Sequence, residues 1–458
     1  MKKQFVLIFF LWFVTSSHAS ETILEKYIEQ GLAKNLALKQ KEFSLEKSLH
    51  ALREARGMFL PSLGIEARYT RAGGGREIEF PVGTLMNPVY STLNQLLTMF
   101  GQPAQFPTDL QNEIIPFLRE EEHETKLRLV QPIFQPAIYY NYKLKKNMRQ
   151  AQEAETVIFR QQLITDIKTA YFNYLKSGEA VKIYQKSRKL LEENLRVSTK
   201  LFESHKATKE VVYQAEAELA AHEQKETEAL KTQKLAEAYF NFLLNQPFET
   251  PIEILEEDQL MIAPEMELSN AFAAAQKNRL EFEQLQDGIS AARNGVRLRK
   301  TNFLPNLTGV VDYGFQGEKY NFTKDNDYWM ASAVLNWNLF NGFQDKAKHQ
   351  QAVADLKELE TKYQELEKQI NLQVQEAWDN LVVARKSILV AEDQLKSAQS
   401  SFEIVNKKYK EGMAPQIEFF NARTMFTNAE INNIIKRYDY QIKLAQFNHV
   451  IGKAERWL

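Results

Sequence analysis

The chain has 458 residues, 26% of them charged, and a formal net charge of −1. That length allows two or three domains, and the lack of a basic excess argues against nucleic acid as a partner. No cysteine is present, which excludes disulfides, thiolate metal sites, cysteine nucleophiles and a lipidated N-terminal cysteine.

The first predicted element is a secretory signal over residues 1–19. Lys2 and Lys3 precede the apolar core Phe5–Val14, and Ser17-His18-Ala19 supplies small residues for cleavage after Ala19. The core is too short to span a bilayer, and no other segment approaches 18 consecutive apolar residues. An exported chain without a transmembrane helix is expected. Thr22–Met58 follows, with Leu24, Ile28, Leu32 and Leu36 at near-helical spacing, and reads as one helix of about ten turns. Pro61 ends it, because the residue before a proline is pushed out of helical geometry. Residues 62–71 are period two: Leu63, Ile65, Ala67 and Tyr69 alternate with Gly64, Glu66, Arg68 and Thr70.

A long loop is expected over 72–124, opening on Gly73-Gly74-Gly75 and carrying five prolines, with a short helix at Tyr90–Phe100. Loops of this size usually carry function. A weaker strand, 126–134, places Leu127, Leu129 and Ile133 on one face. Ala137–Lys200 contains no proline and reads as one helix, nearly 100 Å long at about 1.5 Å per residue. A break at 205–208 leads into a shorter helix, Lys209–Asn245. Residues 246–265, with Pro247, Pro251, Pro264 and Glu256-Glu257-Asp258, read as an extended, solvated linker in which Ile252–Leu255 adds a short strand.

The rest repeats the plan. MFLPSLGIEARY around Phe59 returns as NFLPNLTGVVDY around Phe303, 244 positions later. AYFNYL at Ala170–Leu175 and AYFNFLLN at Ala238–Asn245 return 207 positions later as AWDNLV and AQFNHVIG. Two tandem copies, 20–245 and 266–458, each run helix–strand–strand–helix–helix. In the second copy a helix over 267–303 stops at Pro305. Strands follow at 305–316 and 328–340, then helices over 343–410 and 416–451. Tyr328, Trp329, Trp337 and Phe340 bracket the last strand as an interfacial aromatic girdle would. Alternation alone also fits a half-buried sheet. Here the strands are about 9–12 residues, enough to cross a bilayer when tilted, and no other sheet exists for them to pack on. Four strands cannot close a barrel, and an open edge is not tolerated in lipid, so several chains must pool their strands.

The paired FLPSL and FLPNL, the WNLFNGF run at Trp337–Phe343 and the YKEGMAPQIEFFNAR stretch at Tyr409–Arg423 carry a resemblance. In these residues and their order, the chain resembles the TolC-like outer membrane efflux proteins. The resemblance implies a mainly α fold with membrane β: a homotrimer whose helices form a periplasmic barrel continuous with a 12-stranded outer-membrane β-barrel, four strands per protomer. It implies the outer membrane of a Gram-negative cell, with a large periplasmic portion. It also implies a passive exit duct of a tripartite efflux or type I secretion system, coupled through a periplasmic adaptor to an inner-membrane pump.

At the site level the resemblance implies a periplasmic aperture at Tyr409, Glu418 and Asn421. Tyr409 and Gly412 match the family's hairpin turn. Glu418 and Asn421 stand where two aspartates are common, and Ala414 stands where a basic residue can latch the closed state. The first-copy turn, Ser204-His205-Lys206-Ala207, lacks glycine. His205, Lys206, Gly412 and Met413 are the expected adaptor-docking tips, and Pro61 and Pro305 the helix-to-strand transitions. The plainer alternatives are a solvated helix charge for Glu418 and hairpin packing for Tyr409. The long first loop is expected to cover part of the outer mouth.

The seven histidines are scattered and form no HExxH or i,i+4 pair; neither GxSxG nor a Walker A motif occurs. An enzyme, a metal site and a cofactor are therefore not expected. A periplasmic coiled-coil adaptor also uses long helical hairpins and is the rival reading, but it has no need of aromatic-capped strands of bilayer length.

Overall fold

The computed structural model describes residues 23–254 and 266–453; the expected signal segment and most of the acidic linker lie outside the described residues. In chain order the elements are α1 (Ile23–Lys34), α2 (Leu36–Gly57), β1 (Ser62–Arg71), β2 (Glu77–Phe80), α3 (Val82–Met99), β3 (Glu113–Pro116), β4 (Glu121–Phe134), α4 (Pro136–Glu203), α5 (Lys209–Leu243), α6 (Leu268–Asn278), α7 (Leu280–Lys300), β5 (Asn306–Gly317), β6 (Asp327–Asn336), α8 (Gln344–Lys410) and α9 (Gln416–Val450). A 3-10 turn at Thr301–Phe303 closes α7. The chain divides into a helical unit (residues to Ala51, Lys145–Arg293 and from Ala354) and a sheet unit (Leu52–Leu144 and Asn294–Val353).

In the helical unit the duplication reaches single side chains. One core gathers Leu163 and Ile167 of α4 with Phe240 and Leu244 at the end of α5; a second gathers Ile370 and Val374 of α8 with Phe447 and Ile451 at the end of α9. Each of these pairs is 207 positions apart. Tyr171 and Phe240 are fully buried in the first core and lie in ring contact at 5.5 Å.

The first helix of each copy is broken, where one continuous helix was expected. Asn35 interrupts the first: its Oδ1 accepts from the Leu38 amide (3.0 Å) and its Nδ2 donates to the Leu243 carbonyl (2.9 Å). Arg279 interrupts the second in an extended conformation, and its guanidinium donates to the Val450 carbonyl (3.1 Å). Both breaks thus use a polar side chain to satisfy a carbonyl that the last turn of a helix leaves open.

The start of the linker is not solvated as expected. Ile252 is buried in the first core. The Glu253 amide donates to the Tyr27 hydroxyl, and the Tyr171 hydroxyl donates to the Glu253 carbonyl. Residues 252–254 form no strand.

In the sheet unit the strands run β1-β4-β5-β6, all antiparallel. The middle pairing, β4 with β5, joins the two copies. The long loop is more structured than expected. β2 pairs with β3, and the helix spans Val82–Met99 rather than 90–100. β4 already begins at Glu121, five residues ahead of the expected start. β6 ends at Asn336, so Trp337 and Phe340 lie beyond the strand.

Candidate functional site

The sheet has two unlike faces because side chains alternate along each strand. On one face Ile65, Leu127, Tyr313 and Trp329 stand in one row across all four strands. Ile65 and Trp329 are each 76% exposed. Such an apolar surface needs a covering that the described residues of the chain do not supply. The opposite face carries a ladder of charges. Arg128 grips Asp312 through two hydrogen bonds of 2.8 Å and also pairs with Glu66 at 3.0 Å. Lys126 pairs with Glu124 at 2.9 Å, and the Tyr328 hydroxyl donates to Glu124 at 2.6 Å. Asp312 is fully buried beneath this network, so its charge requires the two-pronged arginine. Tyr328 accordingly faces the charged side and does not share the face of Trp329, as a single girdle required. The indole of Trp337 donates to the Phe303 carbonyl (3.2 Å), two residues ahead of Pro305.

The helical hairpins end in matching turns. Gly412 lies at φ +74°, and the Gly412 and Met413 amides return to the carbonyls of Tyr409 (3.0 Å) and Lys408 (2.8 Å). This is a Schellman closure, which calls for a left-handed residue. The first-copy tip has no glycine yet closes the same way. His205 lies at φ +59°, and the His205 and Lys206 amides return to Phe202 (2.9 Å) and Leu201 (2.8 Å). Asn245 (φ +51°) and Gly452 (φ +63°) repeat the motif after α5 and α9, again 207 positions apart.

Behind the Gly412 turn lies a buried polar seam. Tyr409 stacks on Phe419 (4.8 Å) and its hydroxyl accepts from Asn194 Nδ2 of α4 (3.1 Å). Asn194 Oδ1 accepts from Gln416 Nε2 of α9 (3.1 Å), which also donates to Ser198 (3.0 Å). Further along α9, Arg423 is 3% exposed. It donates to the Ser187 hydroxyl of α4 and to Nδ1 of His222 on α5. His222 Nε2 donates to the Tyr184 carbonyl (2.8 Å), which leaves Nδ1 as the acceptor that Arg423 requires. Burial, helped by Arg423, holds the His222 pKa below its usual value. Burial also pulls Arg423 down to about 10, with the charge of Glu218 opposing. Arg423 therefore stays charged at neutral pH.

The expected aperture residues divide. Tyr409 joins the seam, whereas Glu418 and Asn421 are exposed on the other side of α9, with Ile417 and Met425. Glu418 sits in the first turn of α9, where a carboxylate also favours the helix dipole. Ala414 is buried. The sequence reading missed Ser187, Asn194, Ser198, His222, Gln416 and Arg423. A signal for part of the seam existed: Ser187, Asn194 and Ser198 share helical spacing with the buried Leu191, so three polar residues lie on the packed stripe of α4.

Residues 272–453 match the outer membrane efflux protein family. The outer membrane protein TolC of Escherichia coli strain K12 is 20% identical over 450 residues, covering 96% of this chain and 83% of that protein. The solved CmeC outer membrane channel of Campylobacter jejuni superposes with a TM-score of 0.76 at 16% identity, covering 94% of this chain and 85% of that one. VceC, an outer membrane protein of Vibrio cholerae, gives 0.74 at 17% identity, covering 94% and 96%. The fold, long helical hairpins with a small two-faced sheet, is that of the outer-membrane efflux channels. The chain resembles the TolC-like outer membrane efflux proteins, with the match to that family's model lying in its second copy. The family matched by the second copy, and the TolC relatives, are outer membrane proteins.

Proposed function

We propose that the chain is the exit duct of a tripartite efflux or type I secretion system, and that it works as a homotrimer. The carrying observation is the β1-β4-β5-β6 sheet, with both edges free among the described residues, one face apolar and the other laced with ion pairs. Lipid forbids a free edge. Three copies pairing β1 of one with β6 of the next close twelve strands, with Ile65 and Trp329 toward lipid and the Arg128–Asp312 ladder toward a wet lumen. The helical hairpins then gather at the periplasmic end. There the His205–Lys206 and Gly412–Met413 tips meet the adaptor that couples the duct to an inner-membrane pump, and Glu418 and Asn421 line the aperture. The seam from Tyr409 to Arg423 ties the second hairpin to the first within each protomer.

Native mass spectrometry of detergent-extracted protein tests this reading. A trimer mass, with discrete conductance steps in planar bilayers, is expected. A water-soluble monomer would overturn it in favour of a periplasmic adaptor.

A further inference from the structure

The outer segment between β1 and β4 holds a helix with three distinct faces. The first is packed on its own return segment. Asn94 Oδ1 accepts from the amides of Gln105 and Phe106 (3.0 Å each), and its Nδ2 donates to the Phe106 carbonyl (2.7 Å). One heptad earlier, Asn87 makes the same exchange with both backbone groups of Leu110 (2.9 Å each). Gly83 completes this face, since a Cβ there would stand 2.0 Å from the Leu110 carbonyl oxygen. The second face is polar and uncharged: Thr84, Ser91, Gln95 and Thr98. The third is a stripe of Leu85, Val89, Leu93 and Leu96, continued by Met99 and Phe100. All six are exposed, Met99 and Phe100 above 80%.

The stripe follows i, i+4, i+8, i+11, the spacing of a helix–helix seam. It also lies in a run of 28 residues, 81–108, without one charged side chain, in a chain that is 26% charged. A heterologous partner is commonly selected by opposite charge. A surface that meets its own copy in parallel places like charge against like, so an uncharged stripe suits identical partners. A helix lying in a lipid headgroup layer normally carries Lys or Arg on its polar face, and α3 has none.

We propose that the α3 stripe packs against the same stripe of two further copies of this chain, forming a three-helix cap at the outer end of the duct. The proposal rests on the trimer proposed above. β1 and β4, which flank this segment, belong to the sheet whose edges demand the same three copies, so one threefold axis serves both. It deepens the expected cover over the outer mouth by naming its contact surface.

The absence of native cysteine makes a clean test. Single variants Val89→Cys, Leu93→Cys and Leu96→Cys, and the polar-face controls Ser91→Cys and Gln95→Cys, are oxidised in native membranes. Disulfide formation requires Cα atoms within about 7 Å. The stripe variants should each give one linked pair and one free protomer per trimer, while the controls stay unlinked. Unlinked stripe variants in a sample that still shows the trimer mass would overturn the cap alone. Loss of the trimer mass in the unmodified protein would overturn the reading beneath it. A fluorophore on Leu93→Cys that is quenched by spin-labelled lipid would place the stripe in the bilayer surface and also overturn the cap.

Discussion

At the residue scale the two copies solve one packing problem with one methyl group moved. Gly31 of α1 faces Ile167: a Cβ built on Gly31 would lie 2.3 Å from the Ile167 Cδ1. In the second copy the matching positions are Ala275 and Val374, both fully buried. Alanine supplies the methyl that glycine lacks, and valine gives up the Cδ1 that isoleucine carries. Gly31→Ala should therefore overpack the first core and cost about 1–3 kcal/mol. Ile167→Val on that background should restore most of the loss, read as a thermal midpoint in a double-mutant cycle; simple additivity would refute the exchange. His222 sets a second prediction. Its folded pKa is depressed by burial and by Arg423, whereas the unfolded chain titrates at about 6.5. The folded state thus binds fewer protons below that pH, and its advantage, complete above it, is lost as the pH falls toward the depressed folded value. Amide-exchange protection factors around the Arg423–Ser187 contact, corrected for the intrinsic rate at each pH, should fall from pH 7 to 5. His222→Gln, which keeps a donor and an acceptor, should flatten that dependence.

At the element scale the turns decide the behaviour. His205 adopts a left-handed conformation that costs an L-residue roughly 1–2 kcal/mol. Glycine removes that cost but gains about 0.4–1 kcal/mol of unfolded-chain entropy. His205→Gly should stabilise the α4–α5 turn by up to about 1 kcal/mol and slow its hydrogen exchange, whereas Gly412→Ala should speed exchange at the α8–α9 turn. These turns also show what the sequence conveys. The long helices, the repeat offsets and the alternating strands were legible because each is a pattern of many residues. The left-handed state of His205 was not, because its spacing from the helix end, rather than its residue type, mirrors Gly412. The breaks at Asn35 and Arg279 were hidden because the periodicity continues across them, and their cause is a carbonyl more than a hundred residues away in the chain. Charge-free α3 was read mostly as loop because proline at 81 and 88 argues for turns; Pro88 sits inside the helix, where the clamp by Asn87 and Asn94 outweighs it. The seam was missed for a related reason, since Arg423 looks like a surface charge until α4 and α5 enclose it.

At the scale of the whole molecule, the proposed trimer would convert single exposed residues into rings. Glu418 and Asn421, both turned away from α4, would become three carboxylates and three amides around one axis, and carboxylate rings favour cations. Glu418→Ala should weaken cation preference and block by multivalent cations in single-channel recordings, and Asn421→Asp should strengthen both. Recordings unchanged in both variants would leave Glu418 as a helix-end charge only. The free edges of β1 and β6 have a further consequence, for biogenesis. Before assembly a lone chain would present, among the described residues, two unpaired strand edges and the bare row of Ile65 and Trp329, a template for wrong pairing. On the proposed trimer the single chain is the vulnerable species, and its escape would depend on meeting two others. Assembly should slow more than proportionally when synthesis is throttled, and the chains left waiting should be cleared by proteases rather than stored. Supply of the protein would then behave as a threshold, with too few chains yielding almost no ducts.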